Sequence, residues 1–254
     1  MFTLNIDPVL FSLGPLEIRY YGLVYVIGFL LAIYFLQKKR DQLNLTKDNV
    51  YDLTFWLMLS ILIGSRLYHI LVWEPAYYLA NPIKIFYFWE GGMAFHGGLI
   101  GGIISGIILS KKYKIQFLKF MDILCIPALI ALALGRIANF INAETSGIIT
   151  NVPWCVNFGD NLCRHPVQIY ATIKRFTIAG IILLLLLSKK QHKSGFLFFT
   201  TVTLLGLGRF FIDFLREDVL YLYLSVGQWS SLAMIIIGTF FLIKNYKKEL
   251  KKLF

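Results

Sequence analysis

A chain of 254 residues that is 57% hydrophobic and only 15% charged has too little polar surface for a water-soluble globule, and its mean hydropathy of +0.68 points the same way. The net charge of +11 would suit a nucleic-acid binder. The basic residues, however, fall in short clusters between hydrophobic runs, which excludes that class and fits a chain threaded through a bilayer.

Seven runs are long and apolar enough to cross a hydrocarbon core of ~30 Å, which takes ~20 helical residues. They lie at roughly 18–37, 51–73, 93–110, 120–142, 172–188, 195–215 and 226–243. The predicted fold class is all-α: one polytopic transmembrane domain covering 1–254, with outer loops at about 74–92 and 143–171. One set of connections holds Lys38, Lys39, Arg40 and Lys47, then Lys111, Lys112, Lys114 and Lys119, then Lys189, Lys190 and Lys193. The tail adds Lys244, Lys247, Lys248, Lys251 and Lys252 to the same side. The other side or its edge receives only Arg19, Lys84, Arg164, Lys174, Arg175 and Arg216. This asymmetry predicts a cytoplasmic C-terminus and, with seven crossings, an outer N-terminus. Lys174 and Arg175 sit awkwardly in this scheme; the expectation is that the fifth helix starts late, near Phe176, with the pair snorkelling to the interface. The first residues lack the basic region of a cleavable signal peptide, so none is expected.

The first helix opens on Arg19 and the pair Tyr20–Tyr21, which at an interface reads as an aromatic anchor. Both outer loops are rich in such residues, including Trp73, Tyr77, Tyr78, Trp89 and Trp154. The segment 91–106, GGMAFHGGLIGGIISG, spaces Gly97 and Gly101, and Gly98, Gly102 and Gly106, for close approach of a neighbouring helix. His96, at the start of the third helix, can act as a base near neutral pH or can simply bond a neighbour.

The remaining three cations are Arg66, Arg136 and Arg209, each inside an apolar run. A charge at such a depth costs at least ~2.5–3.5 kcal/mol and persists where it faces a cavity, a partner charge or an anionic ligand. Arg136 and Asn139 are three residues apart and share a helix face that Asn142 continues, with Glu144 just past the helix end. A guanidinium fork suits a phosphate; the competing reading pairs Arg136 with Glu144 as an internal polar knot. Arg209, Asp213 and Arg216 form a stripe of alternating charge in which Asp213 holds or screens Arg209, while a solvated helix end accounts for Arg216. In 164–170, RHPVQIY, Pro166 is placed to begin the fifth helix, leaving Arg164 and His165 before its positive end, where an anion would be favoured.

Cys125 reads as a small core residue. Cys155 and Cys163 share the second outer loop, where a disulfide and two free thiols are both open. The scattered histidines and cysteines have no metal-ligand spacing, so neither metal nor cofactor is expected.

Taken in order, RYYGLVYVIGF at 19–29, GSRLYH at 64–69, EGGMAFHGGLIGG at 90–102, GRIANFINAETSG at 135–147, RHPVQIY at 164–170, GRFFIDFLRED at 208–218 and SVGQ at 225–228 resemble the bacterial prolipoprotein diacylglyceryl transferases. The resemblance spans nearly the whole chain. It implies seven transmembrane helices with an external N-terminus in the bacterial inner membrane. It also implies transfer of the diacylglyceryl group of phosphatidylglycerol to the lipobox cysteine thiol of a preprolipoprotein signal peptide, with release of glycerol phosphate. On this resemblance Arg136 and Arg209 grip phosphate, Asn139, Glu144, Gly147 and Asp213 shape the site, and Tyr21 binds or orients lipid. His96 is the favoured base and Glu144 the competing one. The chain departs from the family pattern at Ala138 and Ala143, where glycine is usual, at Ser146–Gly147–Ile148, where aromatic–Gly–Arg is usual, and at Asp213 and Ala171, where glutamate is usual. An anionic-lipid transporter, or a lipid-binding protein without chemistry, is the alternative. The former would need matched halves with broken helices, and no internal repeat is visible in the sequence.

Overall fold

The computed structural model describes residues 2–14, 16–188 and 192–251. Lys189, Lys190 and Lys252 of the basic clusters lie outside the described residues. Helices dominate: α1 (Tyr20–Lys39), α2 (Lys47–Tyr68), α3 (Pro75–Ala80), α4 (Phe95–Lys112), α5 (Phe117–Ile141), α6 (Val167–Leu187), α7 (Phe196–Ile212), α8 (Val226–Asn245) and α9 (Lys247–Lys251). Three short strand pairs accompany them among the described residues. β2 (Val9–Leu13) pairs with β3 (Leu16–Arg19), β1 (Phe2–Thr3) runs parallel to β4 (Val156–Asn157), and β5 (Leu220–Tyr221) runs antiparallel to β6 (Leu224–Ser225).

Among the described residues six helices are long and apolar enough to cross a membrane: α1, α2, α5, α6, α7 and α8, three of them with a short helical extension. The third expected crossing exists as α4, but it is not among the six. Its five glycines, its histidine and its two terminal lysines dilute its hydropathy. The fifth expected crossing begins earlier than 172. Val167 is its first residue, with Pro166 at the N-cap, so the late start near Phe176 is corrected.

The chain forms two compact units. The second comprises Ser12–Glu17 and Phe29–Phe120, and its heart is the contact of α2 with α4. A Cβ on Gly64 would lie 2.5 Å from the Gly97 carbonyl oxygen and 3.2 Å from the Gly101 Cα. A Cβ on Gly98 would lie 2.5 Å from the Ser65 hydroxyl. The glycine spacing on α4 therefore serves close backbone contact with α2, as the pattern predicts. The opposite face of α4, including Ile100, Ile104 and Ile108, is exposed and apolar, the surface a lipid-facing helix needs.

The first unit comprises the residues up to Phe11, Ile18–Gly28 and everything from Met121 onward. Here α6, α7 and α8 pack in sequence. The N-terminus of α7 is capped from a distance: Asp122 on α5 accepts from the Gly195 amide at 2.6 Å and from the Phe198 amide at 2.7 Å. That supplies two of the four amide partners a helix start lacks. Helix α8 begins with a capping box, in which Ser225 accepts from the Gln228 amide and Gln228 from the Ser225 amide. Cys155 and Cys163 form a disulfide with Cα atoms 5.3 Å apart, which closes the loop between α5 and α6 on itself. Cys125 is free and buried, as a core residue should be.

Candidate functional site

The polar residues of the first unit collect in two adjoining groups. One centres on Glu144. After α5 ends at Ile141, the chain turns through Ala143 and Thr145, both left-handed at φ +56°. This conformation, uncommon for residues with a Cβ, aims the intervening carboxylate back at the helix. Tyr21 donates its hydroxyl to Glu144 Oε2 at 2.7 Å, and Asn139 donates to the same oxygen at 2.7 Å. Asn139 also donates to the Tyr21 hydroxyl, and Asn142 donates to Glu144 Oε1 at 3.1 Å. Gln168, fully buried on α6, donates to the Glu144 backbone carbonyl at 2.6 Å. Glu144 is itself exposed. It is a fixed carboxylate on an open surface.

The second group is cationic. One small cavity is lined by Arg136 on α5, by Val167, Ala171, Lys174 and Arg175 on α6, and by Arg209, Ile212, Asp213 and Arg216 at the end of α7. Asp213 has a side chain only 3% exposed. It accepts from Arg209 Nε at 3.1 Å and stands 3.7 Å from Arg216 Nη1. Arg216 also donates to Asp218 at 3.1 Å. The start of α8 comes so close that a Cβ on Gly227 would strike Asp213 Oδ2 and come within 2.9 Å of Arg209 Nη2. Arg136 does not pair with Glu144. It points one guanidinium nitrogen at the Thr145 hydroxyl, 3.4 Å away, and makes no ion pair among the described residues.

Gly147 sits at a backbone junction between the α5–α6 loop and the end of α7. Its amide donates to the His165 carbonyl at 3.1 Å, and the next amide, of Ile148, donates to the Leu215 carbonyl at 2.9 Å. A Cβ at Gly147 would lie 2.5 Å from the His165 carbonyl oxygen, so no larger residue fits. Arg164 locks the same loop. It donates to Asp160 and to Glu217, each at 2.5 Å, and to the Gly147 carbonyl at 3.2 Å. These bonds hold the Asp160 carboxyl below the usual carboxylate range, the hydrogen bond from Arg164 being the main cause. Arg164 is therefore a fastener with two carboxylate partners, and the expectation that it waits for an anion is corrected.

Arg66 differs from the other two arginines embedded in apolar sequence. It lies in the second unit, 3% exposed, and all its donors are directed at backbone carbonyls. Nε donates to Ile85 at 3.1 Å, Nη1 to Gly91 at 2.5 Å and Gly92 at 3.2 Å, and Nη2 to Lys84 at 2.5 Å and Tyr87 at 3.3 Å. Its guanidinium also lies over the Tyr78 and Phe88 rings. It needs no ligand. His96 stands in this second unit, exposed on the first turn of α4, with its ring 5.8 Å from that of Tyr68.

The structure thus gathers Tyr21, Arg136, Asn139, Glu144, Gly147, Arg209 and Asp213 in one unit, and His96 in the other. Sequence reading missed Lys174 and Arg175, which line the cavity and do not snorkel outward: Arg175 is only 8% exposed. Their signal was Pro166, since a helix starting there puts 167, 171, 174 and 175 on one face. It also undervalued Arg216, which is not a solvated end but shares the Asp213 carboxylate.

A helical membrane protein with a fixed carboxylate beside a cluster of half-buried cations is equipped to act on an anionic lipid or a similar charged amphiphile. Comparison with known proteins narrows the class. The family model described as prolipoprotein diacylglyceryl transferase matches residues 8–244, and the chain belongs to that family. It is 40% identical over 243 residues to the phosphatidylglycerol–prolipoprotein diacylglyceryl transferase of Geobacter sulfurreducens, covering 92% of this chain and 93% of that one. It is 41% identical over 251 residues to the protein of the same name from Bordetella parapertussis, with coverage of 92% and 93%. It is 39% identical over 247 residues to that of Wolbachia pipientis wMel, again covering 92% and 93%.

Proposed function

We propose that this protein transfers the diacylglyceryl group of phosphatidylglycerol to the lipobox cysteine of a preprolipoprotein, an early step in bacterial lipoprotein maturation. The cysteine sulfur attacks the glycerol carbon that carries the phosphate. A thioether forms, the carbon–oxygen bond to phosphate breaks, and glycerol phosphate leaves while a base takes the thiol proton. The observation that carries this reading is the paired arrangement of Arg136 and Arg209 on one cavity, next to the Tyr21–Asn139–Glu144 cluster. Fixed cations stabilise the charge that develops on a departing phosphate monoester. A thiol of pKa ~8.5 attacks better once deprotonated. His96 is the proposed base and Glu144 its competitor; Gly147 and Asp213 keep the binding residues in register.

In this reading the whole chain is one transmembrane domain in the bacterial inner membrane. The glycine-rich α4, third in chain order, brings the number of crossings to seven. The N-terminus faces the periplasm and the C-terminus the cytoplasm, as the uneven distribution of Lys and Arg favours. The test is a transfer assay with purified protein in detergent, phosphatidylglycerol and a lipobox peptide with or without its cysteine. Cysteine-dependent lipidation with release of glycerol phosphate, lost in Arg136→Ala and Arg209→Ala, is the expected result. Intact lipid and unmodified peptide with folded, lipid-bound protein would overturn it.

A further inference from the structure

We propose that Lys174 and Arg175 form a second anion subsite, which fits the cavity to a ligand carrying two phosphates' worth of negative charge. The inference rests on the reading that Arg136 and Arg209 grip a phosphate. Around this cavity stand five cationic side chains, Arg136, Lys174, Arg175, Arg209 and Arg216, against the single carboxylate of Asp213 among its lining residues. Asp213 is already shared by Arg209 and Arg216. Arg136, Lys174 and Arg175 make no ion pair among the described residues. A phosphatidylglycerol headgroup brings one negative charge, which leaves most of this excess uncompensated in a setting of low dielectric, where like charges repel strongly.

The two extra cations are built in, not stray. Arg175 is 8% exposed, bonds one nitrogen to the Ala171 carbonyl of its own helix at 3.2 Å, and keeps a buried Nε without any partner. The stem of Lys174 lies across α7 where Gly208 leaves room: a Cβ on Gly208 would come within 2.9 Å of Lys174 Cγ and closer still to Cδ. Gly208 is the residue before Arg209, so the same local fold that presents Arg209 also seats Lys174. Adjacent residues on α6 thus bring two positive groups to the cavity that the end of α7 also lines.

The recognised chemistry is a second negative charge on phosphate, next to the one that Arg136 and Arg209 grip. Its source is a lipid with two phosphodiesters, or the doubly charged phosphate monoester that transfer releases. The test is competition against labelled phosphatidylglycerol on purified protein in detergent, with diphosphatidylglycerol or glycerol phosphate as competitor. Each potency is read as a ratio to that of unlabelled phosphatidylglycerol. In the wild type at least one competitor should exceed its ratio in Lys174→Gln/Arg175→Gln by about tenfold, the scale of one lost charge-assisted hydrogen bond. Whichever one does so identifies the source. Lys174→Arg/Arg175→Lys, which keeps both charges, should keep the preference. Should Arg175→Gln fail to fold, Lys174→Gln alone should show a smaller loss in the same direction. Unchanged ratios for both competitors would overturn the subsite while leaving the phosphate grip standing. Wild-type protein that does not bind phosphatidylglycerol would overturn both.

Discussion

Gly227 and Asp213 meet so closely that a single methyl group on the glycine would collide with the carboxylate that orients Arg209. The first turn of α8 is thereby part of the anion site without donating a charge to it. Replacing Gly227 by alanine should push Asp213 and Arg209 apart. Overpacking of this kind costs about 1–3 kcal/mol. We expect phosphatidylglycerol binding to weaken about tenfold on that scale, while the helical circular-dichroism spectrum is retained. Titration of labelled lipid into the variant checks it.

Tyr21 and Glu144 are 123 residues apart in sequence and 2.7 Å apart in space. Tyr21→Phe removes a donor to Glu144 and the oxygen that accepts from Asn139. A hydrogen bond to a charged group contributes about 1.5–3 kcal/mol, so transfer should fall by about tenfold to a hundredfold. Single-turnover kinetics in the transfer assay separate this from weaker lipid binding. An undiminished rate would remove Tyr21 from the site.

Arg66→Lys should open the loop that Arg66 holds. Lysine has three donors where the arginine reaches five carbonyls, so at least two carbonyls lose their partner. The expected loss is about 2–5 kcal/mol, the range for stranded buried polar groups. Limited proteolysis should then cut within 84–92, where the wild type resists.

Much of the site was legible in the sequence because its residues break the apolar pattern. Arg136 and Asn139 stand out for that reason, with Glu144 placed beside them by the helix end, and the glycine spacing of α4 correctly announces a close partner. Arg66 looked equivalent to Arg136, since hydropathy counts a charge but does not say which carbonyls return from a later loop. Lys174 and Arg175 were misplaced because charges near a helix end read as surface residues, although Pro166 marked the true start. His96 shows the limit most plainly: a lone imidazole among glycines carries no pattern that assigns its partner.

Ala143 adopts φ +56°, which costs a residue with a Cβ about 1 kcal/mol. Ala143→Gly should recover part of this and raise the melting temperature in detergent by about 2–4 °C per kcal/mol. A drop in melting temperature would show that the extra chain freedom of glycine outweighs the relieved strain.

The loop around Arg164 should loosen in acid. Asp160 titrates below its ordinary value in the folded protein, chiefly because of the hydrogen bond from Arg164. Its contribution is therefore present above the unfolded carboxylate value of about 3.9 and is lost as the pH falls through the lower folded value. Hydrogen-exchange protection across 143–166, taken relative to the intrinsic rate at each pH, should fall below about pH 4 in the wild type. Asp160→Asn should exchange faster already at neutral pH and change less on acidification.

The five carbonyls around Arg66 act as a solvation shell made of polypeptide, much as a crown ether surrounds a cation. They come from residues 84–92, up to 26 positions later in the chain. The guanidinium therefore leaves the ribosome before its shell exists. Full enclosure of Arg66 has to wait for residues 84–92, so the burial of a charge on α2 depends on the segment leading into α4.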